Sequence, residues 1–264
     1  MASKRLIASI FVKDGIVVKS YGYNFWRPAG HLATALQNLD RWAVDEIVVL
    51  DISRNGRIDK RILGEIKKSK ISTPLVYGGG IRSNDDIHEL LNVGCDRMVL
   101  ETLLIGHEKV LYEIADTVGN QALIGSLPIT HVDGNLFTNF KSFDHTNQNT
   151  SHSRLSISEA LEMYRKLPIS EILAIDTDNE GNHGSFSQKL FLVVSNLMKS
   201  ENDKNLIWFG GLDITKSIEL LKFSKTVGIV FGNVNFEFEL KIPFIRQELL
   251  RSEASSVLRQ TNFY

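Results

Sequence analysis

Two glycine-rich stretches of the chain have the composition of phosphate-binding loops. One contains Gly79 and Gly80 after a short apolar run, and the other contains Gly210 and Gly211 in a similar context. Glycine lets main-chain N–H groups approach a ligand closely, and a helix that begins after the loop adds about half a positive charge. Each loop therefore suits a phosphate group, although glycines that merely allow a tight strand-to-helix turn give the same pattern.

Carboxylates follow two other apolar runs. Asp51 closes the run that begins at Glu46, and Asp178 comes shortly after the run that begins at Glu171. A carboxyl group at the C-terminal end of a strand can transfer protons in a barrel enzyme, whereas an aspartate that caps the following loop needs no catalytic role.

The elements that position these residues occur twice along the chain. Residues 74–102 form a strand, a glycine loop, a helix and a second strand, and residues 206–233 repeat that order and spacing. Residues 46–51 match 171–176, and residues 6–10 match 123–127. Three matched pairs in the same order predict two homologous halves with four strand-helix units each. We therefore expect a single α/β domain over residues 1–264, a (β/α)8 TIM barrel with internal duplication.

Bulk composition excludes several classes of protein. The chain has 264 residues, of which 43% are hydrophobic and 23% charged, as in ordinary globular domains. Its 30 basic and 31 acidic residues give no overall attraction to nucleic acid or to a membrane. Cys95 is the single cysteine, and no long apolar run is found, so we expect a cytoplasmic protein. His145 and His152 lack the spacing of a metal site, and we expect none.

Two segments have no clear apolar period. The aromatic stretch from Ser20 to Gly30 suits either a mobile lid over the barrel or a packed surface loop. The polar stretch from Lys141 to Ser153 is predicted to be an exposed loop. Pro128 is expected to fray or bend the strand that contains it, because proline lacks a ladder donor.

Several motifs resemble one known family over nearly the whole chain. The motifs are LIASIFVKDGIVVKS, DEIVVLDI, VYGGGI, GCDRMVLET, SEILAIDTDNEG and the pair FGG and FGN. They are similar to the cyclase subunit of imidazole glycerol phosphate synthase, the HisF family. The resemblance implies a duplicated barrel that takes ammonia from a glutaminase partner. It also implies that this ammonia is joined to a nucleotide with two phosphates, giving imidazole glycerol phosphate and an aminoimidazole carboxamide ribotide, with no cofactor.

The positions of the family's two catalytic carboxylates hold Phe11 and Pro128, so the resemblance predicts loss of the standard proton transfers. Glu101 stands where the family has an asparagine, and Phe209 where it has a serine. Asp14, Asp51 and Asp178 remain as candidates for a relocated acid or base, beside the retained Lys19. The phosphate-binding positions implied by the resemblance are Gly79, Gly80, Thr102, Gly181, Gly210, Gly211, Gly232 and Asn233.

At the N-terminal end of the barrel, the residues that the resemblance implies are all present. The family's ring of charged residues, which gates an ammonia passage, maps on Arg5, Glu46, Arg97 and Glu171. Asp96 falls where the family meets its glutaminase. The same four charges could instead be a plug of salt bridges that closes the barrel.

These features predict a HisF-like barrel that pairs with a glutaminase and passes ammonia to a different acceptor. Such divergent copies resemble cyclase-like proteins of surface-polysaccharide gene clusters, where an acceptor amidotransferase would amidate a sugar. The aromatic loop would then dock that acceptor enzyme. The alternatives are a genuine cyclase of histidine biosynthesis with relocated acid and base, and a non-catalytic scaffold that binds a phosphorylated small molecule.

Overall fold

The computed structural model describes residues 3–42, 44–143, 150–237 and 241–260, in which strands and helices alternate. The strands are β1 (Arg5–Lys13), β2 (Ile16–Tyr21), β3 (Phe25–Gly30), β4 (Glu46–Asp51), β5 (Leu75–Gly78), β6 (Arg97–Leu100), β7 (Leu123–Val132), β8 (Asn135–Phe143), β9 (Thr150–Ser156), β10 (Glu171–Asp176), β11 (Asn205–Phe209) and β12 (Thr226–Phe231). The helices are α1 (Leu32–Arg41), α2 (Lys60–Ser69), α3 (Asn84–Asn92), α4 (Glu108–Val118), α5 (Ile157–Lys166), α6 (Gln188–Leu197), α7 (Ile214–Lys222) and α8 (Lys241–Arg251).

Eight parallel strands close into a barrel. Their order is β10, β11, β12, β1, β4, β5, β6 and β7, and β7 pairs back with β10. The register runs from Ile7 opposite Glu46 on one side to Ile172 opposite Gly125 on the other. The predicted (β/α)8 TIM barrel is therefore confirmed.

The barrel strands are apolar on both faces, because each separates two packed layers. Inward side chains such as Ile7, Val48 and Ile124 fill the barrel, and outward ones such as Leu6 and Ile47 pack against the helices. None of the helices in these described ranges is both long and apolar enough to cross a membrane.

The same close contact occurs in each half of the barrel, where a glycine loop packs against the end of the neighbouring strand. A Cβ atom added to Gly79 would overlap the carbonyl oxygen of Asp51, and one added to Gly210 would overlap that of Asp176. Both glycines have positive φ, 110° and 104°. At these two positions the backbone itself therefore requires glycine, whatever the loops bind.

Two antiparallel hairpins stand on the C-terminal end of the barrel. The first hairpin, β2 and β3, continues from β1, and the second hairpin, β8 and β9, continues from β7. The expected loop from Ser20 to Gly30 is thus a strand pair for most of its length. The expected loop from Lys141 to Ser153 was also wrong in part, because its two ends belong to β8 and β9. His145 lies outside the described residues, and His152 lies within β9.

The expected fraying at Pro128 was wrong as well. β7 continues to Val132, four residues beyond the proline. Thr177 N donates to Ile129 O, so Ile129 faces β10 and Pro128 faces the other side, where β6 has already ended at Leu100. The missing N–H of Pro128 therefore breaks no ladder bond with a barrel strand.

Candidate functional site

Four charged side chains meet at the N-terminal end of the barrel, in the alternating order expected from the sequence. Arg5 lies 2.6 Å from Glu171 and 3.4 Å from Glu46. Arg97 lies 2.8 Å from Glu171 and 3.2 Å from Glu46. We call these four residues the charge ring. The nearby Asp96 is exposed, and its carboxylate accepts from Leu75 N.

The interior above the charge ring is apolar. Its walls are formed by residues of all eight barrel strands: Ile7, Val48, Val76, Val99, Ile124, Leu173, Ile207 and Val230 among others. At the C-terminal end, Phe11 stacks on Phe209 with 5.8 Å between ring centroids. Tyr23 of the first hairpin meets Phe11 edge to face at 5.4 Å. Three aromatic rings therefore occupy one side of the barrel's upper end.

The other side of this end is open and forms a cavity of about 910 Å³, which we call the mouth cavity. Leu50, Val99 and Ile175 belong both to the barrel interior and to the cavity wall. Pro128 also lines it, where the resemblance places a carboxylate. The polar residues of the wall include Asp51, Arg54, Arg57, Arg82, Glu101, Thr102, Ser126, Thr130 and Asp178, together with the main chain of Gly79 and Gly80.

The first glycine loop therefore faces open space. Gly79, Gly80 and Thr102 line the same cavity, and the exposed side chains of Arg54 and Arg57 stand at its edge. Main-chain amides and guanidinium groups are the donors that bind phosphate in proteins. Glu101 adds a negative charge in this wall, and Ser126 Oγ donates to its Oε2 at 3.2 Å.

The equivalent region of the second half is covered by the first hairpin. Asn233 is buried, and its side chain accepts from Ser20 N at 3.1 Å and donates to Ser20 O at 2.6 Å. A Cβ on Gly181 would overlap that same Ser20 oxygen. Gly210 is buried, whereas Gly211 and Gly232 are partly exposed. Of these five positions, Gly181 and Asn233 lie against the main chain of the hairpin.

Glu180 anchors the hairpin on this side. Its Oε2 accepts from Ser20 Oγ at 2.8 Å and from Tyr23 N at 3.3 Å, and its carbonyl accepts from Gly22 N. Burial raises the pKa of Glu180 above its ordinary value, although these hydrogen bonds oppose the rise. Nothing local in the sequence signals this role of Glu180, because its partner Ser20 lies 160 residues away.

The candidates for a relocated acid or base lie apart. Asp51 lines the mouth cavity, and its Oδ1 accepts from Ser53 N and Ser53 Oγ. Burial raises the pKa of Asp51, and the bonds from Ser53 oppose that rise. Asp14 sits in the turn between β1 and β2, with its side chain 60% exposed. Lys19 lies in β2 opposite Arg27 and does not line the cavity.

Asp178 belongs to a cluster that the sequence did not indicate. Its Oδ1 accepts from Thr130 Oγ1 at 2.7 Å, and its Oδ2 accepts from His131 N at 2.7 Å and lies 3.0 Å from His131 Nδ1. The other ring nitrogen, His131 Nε2, lies 3.1 Å from Ser187 Oγ. Burial raises the pKa of Asp178, but the bonds from Thr130 and His131 outweigh it and hold the value below the ordinary one.

One ligand atom each of His131, Asp178 and the buried Asp176 lies within 4.8 Å of the others. An ion could approach such a group, but both ring nitrogens of His131 already have hydrogen-bond partners. Asp176 Oδ2 accepts from Asn179 Nδ2 and from Ser187 N, which fixes the loop before α6. The cluster is therefore built as a hydrogen-bonded network, and no spacing in the sequence reveals it.

Comparisons with known proteins agree with this architecture. A family model described as histidine biosynthesis protein matches residues 5–241. The imidazole glycerol phosphate synthase subunit HisF of Sulfurisphaera tokodaii is 27% identical over 95% of this chain and 97% of its own. That of Saccharolobus solfataricus is 30% identical over 72% and 74%, and that of Flavobacterium johnsoniae is 24% identical over 96% and 98%. The chain belongs to the histidine biosynthesis protein family, as a divergent HisF-like member.

Proposed function

We propose that this HisF-like chain pairs with a glutaminase subunit and conducts ammonia through its barrel to a separate acceptor amidotransferase, which amidates a sugar of a surface polysaccharide. The observation that carries the proposal is the contrast between the two barrel ends. The charge ring is complete at the N-terminal end, whereas Phe11 and Pro128 stand in place of carboxylates at the other.

The charge ring has one weak contact that suits a gate. Three of its ion pairs measure 2.6 to 3.2 Å, while Arg5 and Glu46 are 3.4 Å apart. Glu46 Oε2, which faces Arg5, has no hydrogen-bond partner, and Arg5 Nη2 is bonded to Glu171. Arg5 and Glu46 therefore form the longest of the four pairs, and we propose that the ring opens there, between β1 and β4.

The space above the ring favours ammonia over ammonium. The side chains of Ile7, Val48 and Ile124 in its walls have no polar atom that could hold a cation, and moving an unpaired charge into such a space is far more costly than moving a small neutral molecule. Phe11 and Phe209 obstruct one side of the upper end. Leu50, Val99 and Ile175 lead on the other side into the mouth cavity, which is where we place the exit.

The first hairpin supplies a surface for the acceptor enzyme. Phe25 and Trp26 are 53% and 41% exposed at its outer strand. Arg27 lies over the Phe25 ring and Lys13 over the Trp26 ring, so cations flank both aromatic groups. Exposed aromatic residues with neighbouring cations are typical of protein interfaces. Because this surface adjoins the mouth cavity, a protein docked there would cover the proposed exit.

Turnover of the family's nucleotide substrate tests the loss of cyclase chemistry. The purified chain is mixed with that nucleotide and saturating ammonium salt, so that no glutaminase is needed. We expect no imidazole glycerol phosphate. Product at about 1 s⁻¹ or more, a rate typical of enzymes, would show a genuine cyclase, and Asp51 in the cavity wall would then be the first residue to replace.

A second experiment tests delivery. Amidation is measured with this chain, a glutaminase subunit and the acceptor amidotransferase, using either glutamine or ammonium salt as nitrogen source. Phe25→Ala with Trp26→Ala should lower glutamine-dependent amidation at least about tenfold and leave the ammonium-dependent reaction unchanged. Leu192→Ala, an equally exposed apolar residue on α6, is the matched control. Equal loss with both nitrogen sources, or normal glutamine use without the glutaminase, would contradict the proposal.

A further inference from the structure

We propose that Ser187, His131 and Asp178 form a nucleophilic triad that cleaves carboxylic esters beside the mouth cavity, whose wall includes Asp178. Ser187 Oγ lies 3.1 Å from His131 Nε2, and His131 Nδ1 lies 3.0 Å from Asp178 Oδ2. These are the contacts and the order in which a serine nucleophile is joined to its base, and the base to the group that orients it.

The partners of each group determine where the protons lie. An ionised Asp178 can only accept, so the hydrogen that points toward it belongs to His131 Nδ1. Nε2 of the neutral ring is then an acceptor, and the Ser187 hydroxyl donates to it. Asp178 is itself held by Thr130 Oγ1 and by His131 N, which fixes its orientation toward the ring.

Other helix-capping serines show what is special about Ser187. Ser83 and Ser156 each accept from the third residue of their helix, and each donates to the carboxylate of that residue, Asp86 or Glu159. Ser187 also accepts from the third residue, but that residue is Leu190, which has no carboxylate. Its hydroxyl hydrogen is therefore available for His131.

The start of α6 supplies the positive potential that the reaction needs. The first N–H groups of a helix have no acceptor within the helix, and here they belong to Gln188 and Lys189, directly after Ser187. They can donate to the negative oxygen that develops on a carbonyl under attack by Ser187 Oγ. Ser187 is partly exposed, so a small acyl group can reach it.

The steps balance with water as the only co-reactant. The Ser187 hydroxyl proton passes to His131 Nε2 as the Oγ–C bond forms, and the leaving alcohol takes that proton as its C–O bond breaks. Water then gives a proton to Nε2 while its oxygen bonds to the acyl carbon, and Ser187 leaves with the proton. Asp178 and Thr130 also line the mouth cavity. Ser187 and His131 are not in the wall of that cavity, so the expected substrates are small carboxylic esters that reach the partly exposed Ser187 from the surface.

A fluorophosphonate reagent tests the proposal on the intact chain. Ser187 Oγ would displace fluoride from phosphorus, and the product is located by intact mass and peptide mapping. We expect one label per chain, on Ser187, together with hydrolysis of p-nitrophenyl acetate. His131→Gln retains the serine and its helix cap, and it should slow labelling at least about 100-fold, the lower range for loss of a general base.

The controls separate nucleophilicity from helix capping. Ser187→Ala and Ser156→Ala each remove one N-cap, worth about 1 kcal/mol, but only Ser187→Ala should abolish labelling and ester hydrolysis. Thermal unfolding of each variant shows that it is folded. Absence of label, label on another serine, or an unchanged rate in His131→Gln would overturn the triad. Neither glutaminase nor ammonia enters this test, so it is independent of the function proposed above.

Discussion

The ring of Phe11 stacks on the ring of Phe209, with planes 27° apart, at the end of the barrel where HisF-like proteins would carry an acid by resemblance. Both rings are almost completely buried. A carboxylate and a serine have thus been replaced, relative to that resemblance, by two residues that pack on each other. The pair fills space that water and polar groups would otherwise occupy.

Removal of the Phe11 ring should therefore cost stability. We expect Phe11→Ala to lower the free energy of unfolding by about 3 to 5 kcal/mol, through lost burial and the resulting void. Phe244→Ala, at a phenylalanine that is 50% exposed on α8, should cost less than about 1 kcal/mol. Urea denaturation measures both. A small loss in Phe11→Ala would mean that the aromatic cluster is loosely packed.

Removing one charge from the charge ring should destabilise the protein more than removing two opposite charges together. Arg5→Met leaves Glu46 and Glu171 sharing Arg97, and we expect a loss of about 3 kcal/mol, as when one partner of a buried pair is removed. Arg5→Met with Glu171→Met leaves the balanced pair of Arg97 and Glu46, so the double variant should be more stable than the single one.

Lys60→Met provides the comparison for that prediction. Lys60 pairs with Glu89 at 3.2 Å, but its side chain is 82% exposed. The expected loss is below about 1 kcal/mol. If the double variant is instead less stable than Arg5→Met, the four charges act as a unit whose pairs support one another.

Two glycine substitutions distinguish the steric overlap of an added Cβ atom from the backbone strain of a positive φ angle. Gly79 and Gly94 both have positive φ, but only at Gly79 would a Cβ meet other atoms, those of Asp51. We expect Gly94→Ala to cost about 1 kcal/mol for strain alone. Gly79→Ala should cost at least about 3 kcal/mol, because the backbone of β4 has to move as well. Equal losses would show that the loop can shift without moving β4.

A pH-dependent prediction follows from Asp40, which joins α1 to the segment before β5. Its Oδ1 accepts from Ser72 N, Thr73 N and Thr73 Oγ1. Burial raises the pKa of Asp40, but these bonds outweigh it, so the folded value lies below the ordinary one. The contribution to stability is therefore present above the ordinary pKa and is lost as pH falls through the folded value.

Asp40→Asn measures that contribution. The wild type should exceed the variant by about 1 kcal/mol at pH 7, since hydrogen bonds to a charged acceptor are the stronger ones. The difference should vanish between pH 5 and the acid limit, as followed by urea denaturation at several pH values. A difference that stays constant with pH would mean that the acceptor oxygen matters and its charge does not.

The barrel could be predicted because its information is local and repeated. Apolar runs such as the one that ends at Asp51, each followed by a loop and a helix, predict parallel strands. The prediction holds even where the strands that pair are far apart in the sequence. The outer strand of the first hairpin, β3, was missed because Ser20 to Gly30 contains two glycines and a proline, and because β3 pairs with β2 rather than with a barrel strand. The second hairpin was missed for another reason: Leu136, Thr138 and Phe140 of β8 are buried at a period of two, but the polar Thr138 obscures that alternation in the sequence.

Side-chain partnerships across the barrel were beyond prediction. His131 and Ser187 are 56 positions apart and meet only because β7 runs past the barrel end, next to the loop before α6. The charge ring is different, since each of its members begins a barrel strand, and closure of the barrel brings such residues together. Asn233 was assigned to a ligand by resemblance, whereas its hydrogen bonds to Ser20 depend on a hairpin that the sequence did not reveal.

The first hairpin covers residues of one half of the barrel at its C-terminal end and leaves the equivalent residues of the other half open. Main chain at Ser20 lies over Gly181 and Asn233, while Gly79 and Gly80 stay open to the mouth cavity. At the C-terminal end, the mouth cavity is therefore bordered by the first glycine loop and by residues of β4, β5, β6, β7 and β10. Equivalent positions of the two halves therefore differ in use: Gly79 and Gly80 border the mouth cavity, whereas Gly181 and Asn233 hold the first hairpin.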